Sequence, residues 1–154
     1  MTVLSRGHEL AEDPRAMKHC ETFEHTADIG LSAWGDSLGE LLEALAEGLA
    51  GLMCAPEGIH PSERRALSVT GSDVETLTVD FLAGALTLMT AERFCVREVR
   101  VTAADSDGAE AELVGEPLDP GRHEMKVEVK AVTYHDLSVR RQDGRWTARV
   151  LLDV

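Results

Sequence analysis

Ser37-Leu38-Gly39-Glu40-Leu41-Leu42-Glu43-Ala44-Leu45-Ala46-Glu47-Gly48-Leu49-Ala50-Gly51-Leu52-Met53 is the stretch that decides the fold. Ser37 and Glu40 stand at the spacing of a capping box, in which a hydroxyl and a carboxylate serve free amides of a helix's first turn. Leu38, Leu41, Leu42, Leu45, Leu49, Leu52 and Met53 recur at the spacing of one helical face. Pro56 and Gly58 mark its end. Just upstream, Ile29, Leu31 and Ala33 alternate with Gly30, Ser32 and Trp34, the two-residue period of a half-buried strand. A short strand around Cys20 to Glu24 precedes it.

Downstream, a second Ser-x-x-Glu, Ser72 to Glu75, opens a second helix. Val74, Leu77, Phe81, Ala85 and Leu88 make one face, and Leu82, Leu86 and Met89 widen it, so this helix is expected to be the more deeply buried of the two. A short strand, Ala66 to Thr70, lies between the helices. The last third reads as strands. Val99 and Val101 alternate with polar residues, Asp105-Ser106-Asp107-Gly108 is a turn, and Ala109 to Val114 returns as the hairpin partner. Glu116-Pro117-Leu118-Asp119-Pro120-Gly121 reads as a loop. Val127 to Val139 is a long strand, or two with a bend, and Gln142-Asp143-Gly144 turns it into a final strand, Trp146 to Val154. This order predicts an α+β fold, a two-layer sandwich with two helices on one face of a mostly antiparallel sheet. A chain of 154 residues fits one domain. Residues 1-18 lack periodicity and read as a flexible extension, and residues 19-154 as the domain.

With 15 Lys and Arg against 28 Asp and Glu, the formal net charge is −13. Phosphate binding rests on Lys and Arg, so no direct nucleic-acid binding is expected, and divalent cations or a basic protein partner suit the charge better. Cys20, Cys54 and Cys95 show no zinc or disulfide spacing and are expected to be reduced, as in a cytoplasmic protein. No signal-peptide core opens the chain, and the apolar stretches look too short and interrupted to span a bilayer, so no membrane role is expected.

Phosphate-loop, dinucleotide, zincin and nucleophile-elbow motifs are absent from the sequence. What stands out is Asp28, in His25-Thr26-Ala27-Asp28-Ile29-Gly30, and Asp153 at the end of the last strand. Each borders a strand, so the fold can bring the two together. Two carboxylates that meet repel unless a cation or proton lies between them. The residues alone leave two readings of Asp28 open. One is a tight turn with Thr26 or Asp28 bonding nearby amides. The other is a cation or proton-transfer site with Asp153, the oxygens of Val154 and His25 nearby. Arg122-His123-Glu124-Met125-Lys126 reads as a solvated charged loop or a partner-gripping surface. Tyr134 is expected to pack in a strand with its hydroxyl tethered. Lys130 is either a solvated strand residue or a counter-charge for an acidic cluster.

These segments resemble the archease family. Glu24-His25-Thr26-Ala27-Asp28-Ile29-Gly30, Gly115-Glu116-Pro117-Leu118-Asp119-Pro120 with Arg122-His123-Glu124, Glu128-Val129-Lys130-Ala131-Val132-Thr133-Tyr134-His135 and Leu152-Asp153-Val154 are similar to its motifs and stand in the same order. The resemblance implies an activator protein, not an enzyme, for an RtcB-type RNA ligase in tRNA splicing and RNA repair, promoting guanylylation of the ligase and multiple turnover. It implies a divalent metal, Ca²⁺ first and Mg²⁺ or Mn²⁺ as alternatives, held by Asp28, Asp153 and Val154. Lys130 and His25 are implied as side chains that reach the metal's ligands or the partner. The competing expectations are a metal-dependent hydrolase or nuclease built on the two aspartates, and a chaperone-like binding module.

Overall fold

The computed structural model describes residues 17–25 and 28–154. Thr26 and Ala27 lie outside the described residues, as does the side chain of His25. So does nearly all of the expected N-terminal extension, of which Lys18 already belongs to the first strand. The elements run β1 (Lys18–His25), β2 (Asp28–Gly35), α1 (Leu38–Met53), β3 (Glu63–Thr70), α2 (Val74–Ala91), β4 (Phe94–Asp105), β5 (Gly108–Pro117), β6 (Ala131–Gln142) and β7 (Arg145–Asp153). All strand pairings are antiparallel. The class is α+β, as the sequence predicts, but the strands divide between two sheets, β1-β2-β7-β6 and β3-β5-β4.

Helix α1 explains the division. Ser37 caps α1, its Oγ accepting from the Glu40 amide at 3.1 Å. Nine of the 16 residues of α1 are buried, against eight of the 18 of α2, so α1 is the more deeply buried, contrary to expectation. The reason is position: α1 packs on β1 and β2 from one side, on β4 from the other, and on α2 as well. It also occupies the free edge of β4. Glu47 Oε2 accepts from the Val99 amide at 2.9 Å, and Glu43 Oε2 accepts from the Val101 amide at 2.7 Å. The second oxygen of each carboxylate faces Lys18 Nζ of β1 at 3.1 Å. Partial burial alone would lower the Lys18 ammonium, but the Glu47 and Glu43 carboxylates outweigh it and hold its pKa above the ordinary value.

α2 starts one residue later than the Ser72–Glu75 box implies. Asp73 is the cap, accepting from the Thr76 amide at 2.8 Å, and that bond holds its carboxyl below the usual range. By length and composition α2 is long and apolar enough to cross a membrane, contrary to the expectation that every apolar stretch is too short and interrupted. Here it packs against β3 and β6, and Leu77, Phe81, Leu82 and Ala85 join the main core. Asp143 and Gly144 carry positive φ, 55° and 76°, as the two-residue turn between β6 and β7 requires. β6 itself begins only at Ala131, later than the expected Val127.

Gly115 of β5 pairs with Val96, and a side chain there would collide with the main-chain carbonyl oxygen of Cys95. A carbonyl in a paired strand cannot swing aside as a side-chain tip can. Gly115→Ala is therefore expected to cost about 1–3 kcal/mol or more, read as a lower urea midpoint with an unchanged slope.

Candidate functional site

Alternation along β2 and β7 fixes which residues face the core. Leu31 and Ala33 of β2, and Ala148, Val150 and Leu152 of β7, are all in the main cluster. A one-residue slip would turn them all to the other face. In the register that buries them, Asp28 stands directly opposite Asp153. Directly paired cross-strand residues have Cβ atoms about 4.5–5.5 Å apart, and like charges there destabilise the pair. The sequence-expected carboxylates are thus neighbours at one end of the four-stranded sheet.

Three further expected residues gather there. His25 pairs with Asp28 through the main chain; its side chain lies outside the described residues. The Lys130 amide donates to the Asp153 carbonyl at 2.7 Å, and Ala131 pairs with Asp153 on the next strand, so Lys130 is held at the same corner with an exposed side chain. The Val154 side chain packs against the core, fixing that residue beside Asp153. Among the described residues no group of three or more His, Cys, Asp or Glu side chains gathers as a ready metal cage. Two neighbouring carboxylates are oxygen donors of the kind a hard cation could use, with water or a partner completing its shell.

Arg122, Glu124, Met125 and Lys126 are exposed, as a charged loop requires, but His123 is not, because it belongs to a second cluster. His123 and Glu116 are buried. Arg122 donates to both Glu116 oxygens, Nη1 to Oε2 at 2.9 Å and Nη2 to Oε1 at 2.7 Å. The His60 amide donates to Glu116 Oε2 at 2.7 Å. The Asp119 amide donates to His123 Nδ1 at 2.8 Å, which assigns the ring hydrogen to Nε2, donating to Glu116 Oε2 at 2.8 Å. The Arg122 guanidinium and these donors hold the Glu116 carboxyl far below the usual carboxylate range. Cys95 Sγ lies 3.6 Å from His123 Nδ1, and burial pushes its thiol up to about 12. All three cysteines are free. The loop this cluster pins then runs along the end of α1, where the Lys126 and Val127 amides donate to the carbonyls of Met53 and Leu52 at 2.9 and 3.0 Å. The middle motif thereby delivers the chain to Lys130.

The structure also exposes what periodicity hides. The β6–β7 register jumps from Thr133–Leu151 to Ser138–Arg149, so four residues of β6 face one of β7. Asp136 takes a positive φ of 53° in this bulge, and Tyr134 is 58% exposed, not packed as expected. The signal in the sequence was the polar run Tyr134-His135-Asp136 interrupting strand alternation.

Comparisons with known proteins agree with one another. A family model described as the archease protein family matches residues 20–154. The archease of Pyrococcus abyssi is 39% identical over 142 residues, covering 90% of this chain and all of that protein. The archease of Methanosarcina mazei is 32% identical over 146 residues, covering 92% and 99%. The solution structure of a Methanobacterium thermoautotrophicum protein superposes with a TM-score of 0.74 at 30% identity, covering 88% and 98%. A Thermotoga maritima crystal structure, described as an archease and possible chaperone, shares the fold with a TM-score of 0.60 at 20% identity, covering 87% and 96%.

The Glu116 cluster carries a pH signature. The unfolded chain protonates a glutamate near pH 4.3, whereas folded Glu116 stays ionised well below that. Its contribution to stability is present above the unfolded value and is lost as pH falls toward the folded one. The gap in Tm between the native chain and Glu116→Gln is expected to be widest at neutral pH and to shrink below about pH 4. A gap that holds constant down to about pH 2 would assign the effect to packing instead.

Proposed function

The chain belongs to the archease family, and we propose that it activates an RtcB-type RNA ligase in tRNA splicing and RNA repair, in the cytoplasm and without being an enzyme itself. The observation that carries this reading is the cross-strand facing of Asp28 and Asp153, with Lys130 tied to Asp153 at the same corner. Two like charges opposed on adjacent strands favour a cation between them. Asp28 and Asp153 would hold it, Val154 would add a main-chain oxygen, and Ca²⁺ fits this oxygen set best, with Mg²⁺ or Mn²⁺ as alternatives. Bound there, the ion supplies positive charge at the tip of an otherwise acidic protein. Lys130 places a second positive group beside it, and His25 is a candidate contact to the ion's outer shell or to the partner.

Docking follows from charge. A ligase site that handles GTP and RNA ends must be electropositive, and a chain of net charge −13 complements it. The carboxylate corner would enter that site, order it for guanylylation, and leave so that the ligase turns over again. A hydrolase or nuclease built on Asp28 and Asp153 has less support, because two-metal hydrolysis draws on more acidic ligands than this pair offers. A chaperone-like reading has one observation of its own. Met125, 52% exposed, rims a small apolar pocket lined by Met53, Met89, Phe94 and Leu118.

Substoichiometric protein mixed with its ligase, labelled GTP and Mn²⁺ is expected to accelerate guanylate transfer and to sustain many rounds of ligation. Asp28→Asn and Asp153→Asn should each lower that stimulation by about tenfold or more while leaving Tm within a few degrees, and calorimetric Ca²⁺ binding should weaken in parallel. Lys130→Met should lower stimulation without weakening Ca²⁺ binding. Absence of stimulation by the native chain would overturn the activator reading. Full stimulation by both aspartate variants would remove the carboxylate corner from it. Suppression of client aggregation, lost in Met125→Lys, would favour the chaperone-like reading.

A further inference from the structure

The face of the four-stranded sheet that turns away from the helices has its own chemistry. α1 and α2 cover the face carrying Leu31, Ala33, Ala148, Val150 and Leu152. On the other face, the strand registers place His19, Trp34, Thr147 and Arg140 in one cross-strand row and Phe23, Gly30 and Leu151 in another. Gly30 is what lets the Phe23 ring lie across the sheet, since any side chain there would collide with it. The Arg149 guanidinium sits 4.0 Å above the Phe23 ring, and that of Arg145 sits 3.7 Å above the Trp34 ring. Arg140, Arg145 and Arg149 are all exposed. Arg145 also reaches Asp36 at 3.6 Å, and Glu21 beside them is engaged by His19 at 3.2 Å. In a chain of net charge −13, the three arginines gather at one end of this face, while the same registers put Asp28 and Asp153 at its other end, next to the Phe23 row.

The type of cation decides what it fits. The strong bases on this face are arginines, and two sit over aromatic rings. A ring beneath a guanidinium restrains a long side chain and presents its plane and its N–H fork outward. A planar guanidinium stacks on a nucleobase and grips a phosphate with two parallel donors; a lysine would serve an acidic peptide equally well through charge alone. A flat sheet offers nothing to insert into a duplex groove, whereas unpaired bases can lie across it. The net charge argues against long-range attraction to any polyanion. Repulsion from distant carboxylates is largely screened beyond about 8 Å at physiological salt, so contacts on this face still count.

We infer that the helix-free face of the β1-β2-β7-β6 sheet binds single-stranded RNA, with Arg140, Arg145 and Arg149 on phosphates and bases and with Phe23 and Trp34 as the aromatic layer beneath. This does not rest on the ligase reading, and the ligase is absent from the test. A fluorescein-labelled oligouridylate of about 12 nucleotides, titrated with the full chain, should give saturable anisotropy at about 50 mM salt. Three phosphate contacts predict a log–log salt slope of about −2. Arg149→Ala should weaken binding about fivefold or more and make that slope shallower by about 0.7. Arg149→Lys should keep the slope and still lose affinity, which a purely electrostatic face would not do. Circular dichroism and melting of each variant report folding independently. No saturable binding at low salt, or binding unchanged in the Arg140/Arg145/Arg149→Ala variant, overturns the inference. Equal competition by oligoglutamate would make the face a protein contact, and equal binding of duplex RNA would remove the single-strand assignment; either result also overturns it.

Discussion

The burial of α1 between two sheets is the constraint on which the rest of the structure depends. A helix that packs on one sheet needs one apolar stripe. α1 buries Leu41, Leu42, Leu45 and Leu49 completely, and its small residues Ala44, Ala46 and Ala50 are nearly as enclosed, so it is surrounded on several sides. Both sheets take their position from it, and the main core cluster spans both of them. The register of β2 against β7 is then dictated by the need to turn Leu31, Ala33, Val150 and Leu152 toward this helix. Everything at the carboxylate corner inherits that register. Asp28 and Asp153 are apposed because the hydrophobic residues one, three and five positions away must be buried.

The second polar cluster plays a complementary part. A buried carboxylate is tolerated when it is fully engaged, and Glu116 takes donors from Arg122, His123 and the His60 amide. That engagement fixes the loop after β5, which has little regular structure of its own. The loop leads along the end of α1 to Lys130, whose amide closes on Asp153. Two motifs far apart in sequence thus act on one corner: one supplies its charges, the other the path of the chain that brings a lysine to them.

Much of this was legible in the residues, for identifiable reasons. Helix starts, strand alternation and the turns at Asp105–Gly108 and Asp143–Gly144 are local, so short-range chemistry reveals them. The meeting of Asp28 and Asp153 was legible as well, because both sit at the ends of buried strands. What stayed hidden is long-range. Whether seven strands make one sheet or two depends on which edges find partners, and here Glu43 and Glu47 take the place of a strand beside β4. Ser72 and Asp73 are both good caps, and which one is used depends on packing of the first turn. The burial of His123 among charged neighbours depends on Glu116, seven residues earlier and across a loop. Tyr134 escaped because a bulge reverses the sidedness that alternation assumes.

The two α1 glutamates that bond the edge of β4 have a consequence for how this protein behaves at high concentration. An edge strand with free amides is a template onto which a second copy can add a strand, and repetition of that step builds fibrils. Along β4 the Val99 and Val101 amides are already taken by carboxylates of the same chain, and Lys18 holds both carboxylates in place. An incoming strand would have to displace two charge-assisted bonds and leave one oxygen of each carboxylate without its donor. The contact that closes the seam between the sheets therefore also acts as a guard against polymerisation, built from a helix and added to the two register shifts that β4 itself carries.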